Sequence, residues 1–516
     1  MNENPIVLAL DFGTQSVRAL LIDKNGNILA IEKEPYQEPY FSLEPGYAEQ
    51  YPDYYWKKAC LTTNRIKENY PHLYDDIICM SITCFRDTAV ILDENKEVIR
   101  PSILWLDQRM AECKKPLPIL NRLIFYVVGM SDTVKMNRRR TMANWIKENE
   151  PENWAKTKHY IAISTFFNYK LTGKLVDSIS NQIGHYPIDF KKRRWYKDNH
   201  LKGIIFGVPR KMLCDLVKQG DPVGKISHEA SLETGLKEGL LVFAAGSDKG
   251  CETIGTGCLT PDKASISYGT ASSIEVPNPR YIEPETFLPS YPAVCPNLYN
   301  MEVQIYRGYW MITWFKKEFA QSESVEAEIQ KMAVEEYLNK KMLQIPPGSQ
   351  GLVLQPYWGP GLKRPEAKGS IIGFSDFHTK THVYKAIIEG IAYGLREGLE
   401  GIQRRQHRRV KNIMVSGGGS QSDAICQITA DIFGIPVSRI QTFETAGLGA
   451  AMVGFVSMGV FSSYDEASES MTHISKTFYP DEENHTKYDF LFKKVYLKMY
   501  GKLKRIYRNI GDFNHD

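Results

Sequence analysis

The sequence predicts an α/β protein built from two similar halves. Short apolar runs alternate with helix-like segments, which is typical of sheets covered by helices. The run Phe-Gly-Thr-Gln-Ser at 12–16 returns as Tyr-Gly-Thr-Ala-Ser at 268–272, about half of the 516 residues later. Five residues alone are a weak repeat, but strand-like flanks surround both copies. We therefore expect an internal duplication, with an N-terminal domain over 1–255 and a C-terminal domain over 256–516.

Charge composition excludes several classes of partner. The chain carries 64 Lys and Arg against 60 Asp and Glu, a net charge of +4, and 43% of its residues are hydrophobic. These values predict a globular protein without the electrostatic footprint of a nucleic-acid or membrane-binding surface. The basic run 403–411 follows an apolar helix-like segment, so we interpret it as a solvated helix end. We expect neither nucleic acid nor a membrane as a partner.

The cysteines favour a reducing compartment. All nine are scattered, without a C-x-x-C pair or the spacing of a zinc site. The N-terminus lacks the basic and apolar regions of a signal peptide, and no run of 18 apolar residues occurs. We therefore expect a cytoplasmic protein. Its oligomeric state stays open, with a homodimer as one alternative.

The N-terminal segment predicts three strands joined by tight turns. Apolar runs at 6–10 and 17–23 flank a glycine turn at 11–16, and Asn25-Gly26 then predicts a hairpin into 28–34. A P-loop or Rossmann domain would instead pass from its first strand and glycine loop into a helix. The motifs of those two domains are absent from the sequence. We expect an antiparallel meander.

The rest of the chain alternates strands, helices and loops. Further strands are predicted at 77–83, 98–106, 241–246 and 413–416, helices at 142–149 and 422–433, and a surface loop at the Pro- and Gly-rich segment 356–369.

Two glycine loops follow predicted strands and could bind phosphate. Asp11 ends the first strand, and Gly13 and Thr14 offer backbone N–H and hydroxyl donors beside it. Such a turn can hold phosphate and Mg²⁺, although an ordinary Asx turn has the same composition. The second copy at 268–272 favours the phosphate interpretation. Two such loops on either side of a cleft would hold a polyphosphate between them.

Asp248 is the candidate general base. It follows the strand-like run 241–245 and precedes small residues that can start a helix. Phosphoryl transfer asks little of a protein beyond positioning, a metal ion and an Asp that accepts the hydroxyl proton. A helix N-cap is the structural alternative. The glycine turn within 415–423 could meet a nucleotide at a helix N-terminus, or serve only as a joint.

These motifs together resemble one known family. The chain is similar to the FGGY carbohydrate kinases, whose fold has two actin-like (ribonuclease H-like) ATPase domains with a cleft between them. The similar segments are 7–23, 46–56, 103–109, 246–250, 268–270, 369–389, 415–423 and 444–454. The resemblance implies ATP as co-substrate and Mg²⁺ as cofactor.

The resemblance also implies roles for individual residues. Asp248 resembles the catalytic base, and Asp11 and Asp248 resemble the metal-binding carboxylates. ATP contacts are implied for Gly13, Thr14, Gln15, Gly269, Thr270, Gly418, Gly419 and Ser422. Substrate contacts are implied for Arg86, Asp87, Trp105 and Asp107, and the charge of Lys249 beside Asp248 makes it a further candidate.

The substrate is less well specified. Arg86-Asp87 resembles the Arg-Glu pair of glycerol kinases with a shorter acid, whereas the histidine loop of typical xylulokinases is missing. Lys249 could meet the carboxylate of a sugar acid, or form a helix pair with Glu252. Tyr309 lies in an aromatic run that could wall a cleft or belong to a helix core.

The sequence thus predicts ATP-dependent phosphorylation of a hydroxyl of a small polyol or of a ketose such as a pentulose. A sugar-acid kinase is the alternative within the same chemistry. An actin-fold nucleotide-binding sensor or interaction protein without sugar chemistry is the alternative from another class.

Overall fold

The computed structural model of the protein describes residues 4–358, 364 and 366–513. Its strands are β1 (Ile6–Phe12), β2 (Ser16–Asp23), β3 (Ile28–Pro35), β4 (Glu49–Gln50), β5 (Ile77–Cys84), β6 (Ala89–Leu92), β7 (Ser102–Ile103), β8 (His159–Ala162), β9 (Val176–Ser178), β10 (Ile188–Asp189), β11 (Arg194–Trp195), β12 (Asp215–Val217), β13 (Pro222–Lys225), β14 (Leu241–Ser247), β15 (Lys263–Tyr268), β16 (Ser272–Asn278), β17 (Tyr291–Pro292), β18 (Tyr299–Ile305), β19 (Val353–Gln355), β20 (Ser370–Ile372), β21 (Asn412–Ser416), β22 (Val437–Ile440) and β23 (Ile474–Phe478).

The helices are α1 (Pro52–Asn69), α2 (Pro71–Tyr74), α3 (Ile119–Val127), α4 (Ser131–Arg140), α5 (Met142–Asn149), α6 (Pro151–Lys156), α7 (Ile163–Thr172), α8 (His228–Thr234), α9 (Asp248–Gly255), α10 (Trp310–Phe319), α11 (Gln321–Ile329), α12 (Val334–Met342), α13 (Lys380–Gln406), α14 (Asp423–Phe433), α15 (Thr445–Ser457), α16 (Tyr464–Met471), α17 (Glu482–Leu491) and α18 (Leu497–Phe513). None of the described helices is long and apolar enough to cross a bilayer.

The first sheet begins with the predicted meander. Its strand order is β3-β2-β1-β5-β14-β13, with antiparallel pairing from β1 to β3 and parallel pairing of β1 with β5 and of β5 with β14. All seven residues of β1 are buried, as expected for a central strand covered on both faces. The turn between β2 and β3 has Gly26 at φ +78°, a conformation that favours glycine.

The second sheet repeats the topology of the first. Its order is β17-β18-β16-β15-β21-β22-β23, with β15–β16 and β16–β18 antiparallel, β15–β21 and β21–β22 parallel, and β23 antiparallel at the edge. The β1–β2 and β15–β16 hairpins therefore occupy equivalent places. The predicted α/β class and the duplication are both confirmed.

Several predicted elements match and one does not. Helix α5 coincides with the predicted 142–149, and α13 ends at Gln406, so part of the basic run is a helix end with exposed arginines. The strand predicted at 98–106 is wrong, because only Ser102 and Ile103 form a strand there and Val98 makes an isolated bridge with Leu92. Pro101 has no N–H to donate to a ladder. The predicted loop 356–369 includes 359–363 and 365, which lie outside the described residues.

Helix α15 belongs to the second half in sequence but packs on the first sheet. Its Leu448, Met452 and Phe455 share one buried cluster with Val7 and Leu20 of β1 and β2. Helices α9 and α15 also cross closely at glycines. Helix α15 therefore completes the core of the first half, although it follows β21 and β22 of the second sheet in sequence.

Candidate active site

A cavity of about 820 Å³ is lined by residues from both halves. This size is typical of small-molecule sites. The predicted site residues that line it are Gly13, Thr14, Gln15, Arg86, Asp87, Trp105, Asp248, Lys249, Gly269, Thr270 and Gly418. The equivalent positions of the two hairpins bring the two glycine loops to the same cavity.

Asp11 lies behind the first loop in a partly compensated cluster of charges. Its carboxylate accepts a hydrogen bond from Arg18 at 3.0 Å, and Arg18 also pairs with Glu444 at 3.2 Å. Burial raises the pKa of Asp11 to about 6, because the opposing effect of Arg18 is smaller and Glu444, Asp248 and Glu252 add negative potential. The surroundings of Asp11 therefore attract a further cation.

The donor set here fits a magnesium ion held jointly with a ligand. Asp11 and Asp248 offer the hard carboxylate oxygens that Mg²⁺ prefers. Within the described residues, no group of three or more His, Cys, Asp or Glu could hold a metal by itself. A Mg²⁺ ion at these two residues would therefore rely on water and phosphate oxygens for its remaining ligands.

Asp248 is the first residue of α9, directly after β14. The Ser247 side chain is the N-cap of this helix and accepts a hydrogen bond from the Gly250 N–H at 3.2 Å. The Asp248 carboxylate accepts from the Lys249 backbone N–H at 2.8 Å through Oδ1. Burial raises the pKa of Asp248, although Lys249 and Arg86 oppose the shift. A carboxylate with a raised pKa is a better proton acceptor, as a general base requires.

Lys249 forms the helix pair that was one of its two predicted roles. Its Nζ lies 3.2 and 3.3 Å from the two carboxylate oxygens of Glu252, and 2.6 Å from Ser267 Oγ on β15. Burial opposes the ammonium charge, but Glu252 and Asp248 outweigh this effect and raise the pKa of Lys249. The residue is a buried cation at the edge of the cavity.

The second loop is held by the start of α10. The backbone N–H groups of Tyr309 and Trp310 donate to the carbonyl oxygens of Gly269 and Thr270, at 3.1 and 3.3 Å. Tyr309 does not line the cavity, and its ring packs against that of Tyr268 with centroids 5.0 Å apart. Tyr309 therefore supports the loop from behind.

The third glycine turn approaches the second loop closely. Gly417 has φ +78°, and a Cβ there would lie 2.8 Å from the Tyr268 carbonyl oxygen. Gly418 lines the cavity, whereas Gly419 and Ser422 do not. The Ser422 hydroxyl caps α14 by accepting from the Ile425 N–H. Of the three predicted nucleotide contacts in this turn, only Gly418 faces the cavity.

Arg86 joins the two halves at the other end of the cavity. Its guanidinium donates two hydrogen bonds of 2.7 Å to Glu302 on β18, 216 residues later. Glu302 lies opposite Glu275 of β16 in the sheet. Burial, followed by the charge of Glu302, raises the pKa of Glu275 to about 8. Arg86 thus compensates a buried pair of acidic residues, of which Glu302 is the direct partner.

Asp87 has an unusual backbone and a fixed side chain. Its φ is +52°, which is rare for a residue other than glycine. Its carboxylate accepts from the His185 backbone N–H and contacts His185 Nδ1, both at 2.8 Å. Gly184 permits this approach, since a Cβ there would lie 2.3 Å from Asp87 Oδ1. Burial opposes the charge, but His185 and Arg86 lower the pKa of Asp87.

His185 and Glu302 were not found by sequence reasoning. His185 follows the glycine of an Ile-Gly-His-Tyr segment, a signal too common to select it. Glu302 lies within a strand, where a buried acid has no local signature. Both residues line or border the site only because distant segments meet there.

Trp105 and Asp107 have different surroundings. Trp105 lines the cavity, and its Nε1 donates to Thr14 Oγ1 at 3.3 Å. Asp107 does not line the cavity. Its side chain is 0% exposed and accepts from Arg109 Nε at 2.8 Å and from the Ala48 N–H at 2.7 Å. The substrate contact of Asp107 stays a prediction, and in this structure its carboxylate holds neighbouring segments together.

Comparison with known proteins decides the family. The N-terminal domain of the FGGY family of carbohydrate kinases matches residues 6–255, and the C-terminal domain of the same family matches 264–458. The chain belongs to this family. It is therefore a sugar kinase, as the sequence motifs predicted.

Relatives and solved structures agree with this assignment. A xylulose kinase of Lactococcus lactis is 26% identical over 99% of this chain and 98% of its own length. The crystal structure of a xylulose kinase from Lactobacillus acidophilus has a TM-score of 0.82 at 20% identity, covering 98% of this chain and 100% of that one. A gluconate kinase from the same organism has a TM-score of 0.81 with the same identity and coverage. This FGGY kinase therefore shares its fold with enzymes named for different substrates.

Proposed function

We propose that this FGGY kinase transfers the γ-phosphoryl group of ATP to a hydroxyl of a small sugar or polyol. One observation carries the proposal: a single cavity brings together both glycine loops, Asp248 and the Arg86–Asp87–His185 cluster. Phosphate-binding loops alone would suit any actin-like ATPase. The Arg86–Asp87–His185 cluster supplies the hydrogen-bonding groups that a polyol requires.

The nucleotide end is formed by the glycine loops. Backbone N–H groups of the two hairpin turns and the Thr14 and Thr270 hydroxyls would bind the phosphates, and Gly418 would border the nucleoside. Asp11 and Asp248 would hold Mg²⁺, which when bound would offset the negative charge of the phosphates. The loops position the γ-phosphoryl group for in-line attack.

Asp248 would act as the general base. A substrate hydroxyl gives its proton to the Asp248 carboxylate as its oxygen forms the new bond to the γ-phosphorus. The bond from that phosphorus to the β,γ-bridging oxygen breaks, and ADP leaves with the electron pair. Closure of the two halves over the substrate would exclude water, which would otherwise compete as the acceptor.

The part of the cavity around Asp87, His185 and Arg86 would orient the substrate hydroxyl that attacks the γ-phosphorus. Asp87 is held ionised and can accept hydrogen bonds from substrate hydroxyls, while His185 and Arg86 can donate. Arg86 keeps N–H donors beyond the two that Glu302 accepts. Trp105 offers an aromatic face to the carbon skeleton.

A sugar acid is the second candidate substrate. The outer wall of the cavity includes the exposed lysines Lys191, Lys192 and Lys202, together with the acids Asp189 and Glu283. These lysines would favour a carboxylate that points outward from the reacting hydroxyl. The rates of phosphorylation of neutral sugars and of sugar acids distinguish these two substrate classes.

The test is ADP release with Mg·ATP across pentuloses, hexuloses, alditols, glycerol, erythritol and sugar acids. We expect one substrate group to give a strong signal, and Asp248→Asn to lose it by about 10³-fold or more while still binding ATP. Near-wild-type turnover in that variant would remove Asp248 from the base role. ATP binding without any sugar-dependent signal would instead favour a nucleotide-binding sensor.

A further inference from the structure

Lys249 is a buried cation that the proposed reaction does not yet use. It follows the candidate base directly, and its side chain is only 11% exposed. It lines the same cavity as the two glycine loops. A buried ammonium group needs partners for three N–H donors.

Lys249 Nζ has three hydrogen-bond acceptors, but two of these bonds are long. Ser267 Oγ accepts one strong hydrogen bond at 2.6 Å. The two oxygens of Glu252 lie at 3.2 and 3.3 Å, beyond the 2.7–2.9 Å that is typical of charge-assisted hydrogen bonds. Glu252 is in addition shared with the Ser416 hydroxyl, at 3.2 Å. The ammonium group can therefore donate a shorter hydrogen bond to another anion.

The position of Lys249 identifies where that partner would lie. Ser267 is two residues before Gly269, so Lys249 is directed to the second phosphate loop. A Cβ on Gly269 would lie 3.4 Å from Lys249 Nζ, which means that no side chain separates the ammonium group from the loop backbone. The substrate-orienting pair Asp87 and His185 makes no hydrogen bond with Lys249.

We propose that Lys249 binds the γ-phosphoryl group of the nucleoside triphosphate and makes the protein distinguish ATP from ADP. Its Nζ donates to a γ-phosphoryl oxygen beside Gly269 while Ser267 keeps it oriented. As charge shifts during transfer, the same donor stabilises the phosphoryl oxygens. This inference rests on the proposed ATP-dependent function, and it assigns Lys249 to the phosphate rather than to a sugar-acid carboxylate.

The test compares nucleotide affinities by calorimetry, with Mg²⁺ and without sugar. In Lys249→Gln, we expect the affinity for the non-hydrolysable analogue AMP-PNP to fall by about tenfold or more, and that for ADP by less than about twofold. Lys249→Arg keeps a cation and should recover part of the difference. Ser267→Ala removes the partner that orients Lys249. It should lower the affinity for AMP-PNP relative to that for ADP, as Lys249→Gln does, but by a smaller factor.

Lys263→Gln is the matched control. Lys263 is at the far end of the same strand as Ser267, is exposed, and donates only to the Gly257 carbonyl oxygen. We expect it to leave both affinities unchanged. Thermal melts of all variants will show whether each is folded.

Other outcomes would overturn the inference. Equal losses of affinity for AMP-PNP and ADP would mean that Lys249 only stabilises the structure of the site. No loss of affinity for either nucleotide would mean that Lys249 serves only in its ion pair with Glu252. A loss of kcat/KM restricted to acidic sugars would assign it to the sugar. A shifted nucleotide ratio without any active sugar would support Lys249 while contradicting the proposed sugar chemistry, and a wild-type protein that binds neither nucleotide would overturn both.

Discussion

Charges near the phosphate loops are unevenly compensated. Asp11, Asp248, Glu252 and Glu444 lie around the cations Arg18 and Lys249, and Arg86 adds a third positive charge that acts on Asp248. An excess of buried negative charge costs free energy in the ligand-free protein. The acidic residues thus lower the stability of the ligand-free protein and allow it to bind a metal–nucleotide complex. Active sites commonly reduce stability in this way.

Asp11→Asn tests this cost. The pKa of Asp11 is about 6 in the folded protein, against an ordinary value of 3.8. A raised carboxyl pKa favours folding at low pH, and that contribution is lost as the pH rises from about 4 through 6. We expect the variant to be more stable than wild type by at most about 3 kcal/mol at pH 8 and by under about 1 kcal/mol at pH 4.

Urea unfolding at the two pH values measures the difference. The exposed Asp221 provides a control, since Asp221→Asn should change stability little at either pH. A destabilised Asp11→Asn at pH 8 would mean that its bond with Arg18 outweighs its burial. The same variant should bind Mg·ATP more weakly.

The local residues of the site were predictable and their partners were not. Gly13, Asp248 and Gly269 directly follow strands, and Asp11 is the penultimate residue of β1, so the change from apolar strand to polar turn identifies them. Glu302 lies 216 residues from its partner Arg86 and His185 lies 98 from Asp87, and spacing along a chain does not reveal such contacts.

The crossing of α9 and α15 depends on two glycines. A Cβ on Gly255 would lie 2.0 Å from the Thr445 carbonyl oxygen, and one on Gly449 would lie 2.0 Å from the Cys251 carbonyl oxygen. Both contacts are with backbone, which cannot rotate away. The helices can therefore cross at this distance only without these side chains.

Gly449→Ala should separate the two helices. We expect a loss of stability of about 2–4 kcal/mol, because the helices must shift in a close-packed core. Gly501→Ala is the matched control, as Gly501 lies within α18 with nothing within 4 Å of an added Cβ. That change should be neutral or stabilise by up to about 1 kcal/mol. Urea unfolding of both variants gives the comparison, and equal stabilities would contradict the crossing as described.

Elements with a clear period were predicted well, and short irregular ones were not. Helix α14 lies at 423–433 against a predicted 422–433. Strand β7 has two residues where nine were expected. Residues 445–455 of α15 are all buried, which explains its apolar composition, but its place on the first sheet has no local signature.

The two halves share a topology without being independent. Each sheet has its own hairpin loop, and the cavity needs both. Yet α15 covers the first sheet, and Arg86 is compensated by Glu302 from the second. A break in the chain between the sheets would therefore not release two complete domains.

Expression of residues 1–262 alone tests this dependence. We expect no cooperative thermal transition, because Val7, Leu20 and Phe243 lose the apolar cover that α15 provides. Coexpression with 263–516 should restore the transition. A fragment that melts cooperatively by itself would show that α15 is dispensable for the first half.

The position of α15 in the sequence also has a consequence for how the protein is made. A ribosome adds Ile254, a buried residue of α9, almost 200 residues before it reaches Leu448. At typical synthesis rates, the nascent first half would wait roughly 10 to 40 s with an uncovered apolar face. We therefore expect the first half to complete its folding only after α15 is made, and the intermediate before that point is the species that chaperones would need to protect.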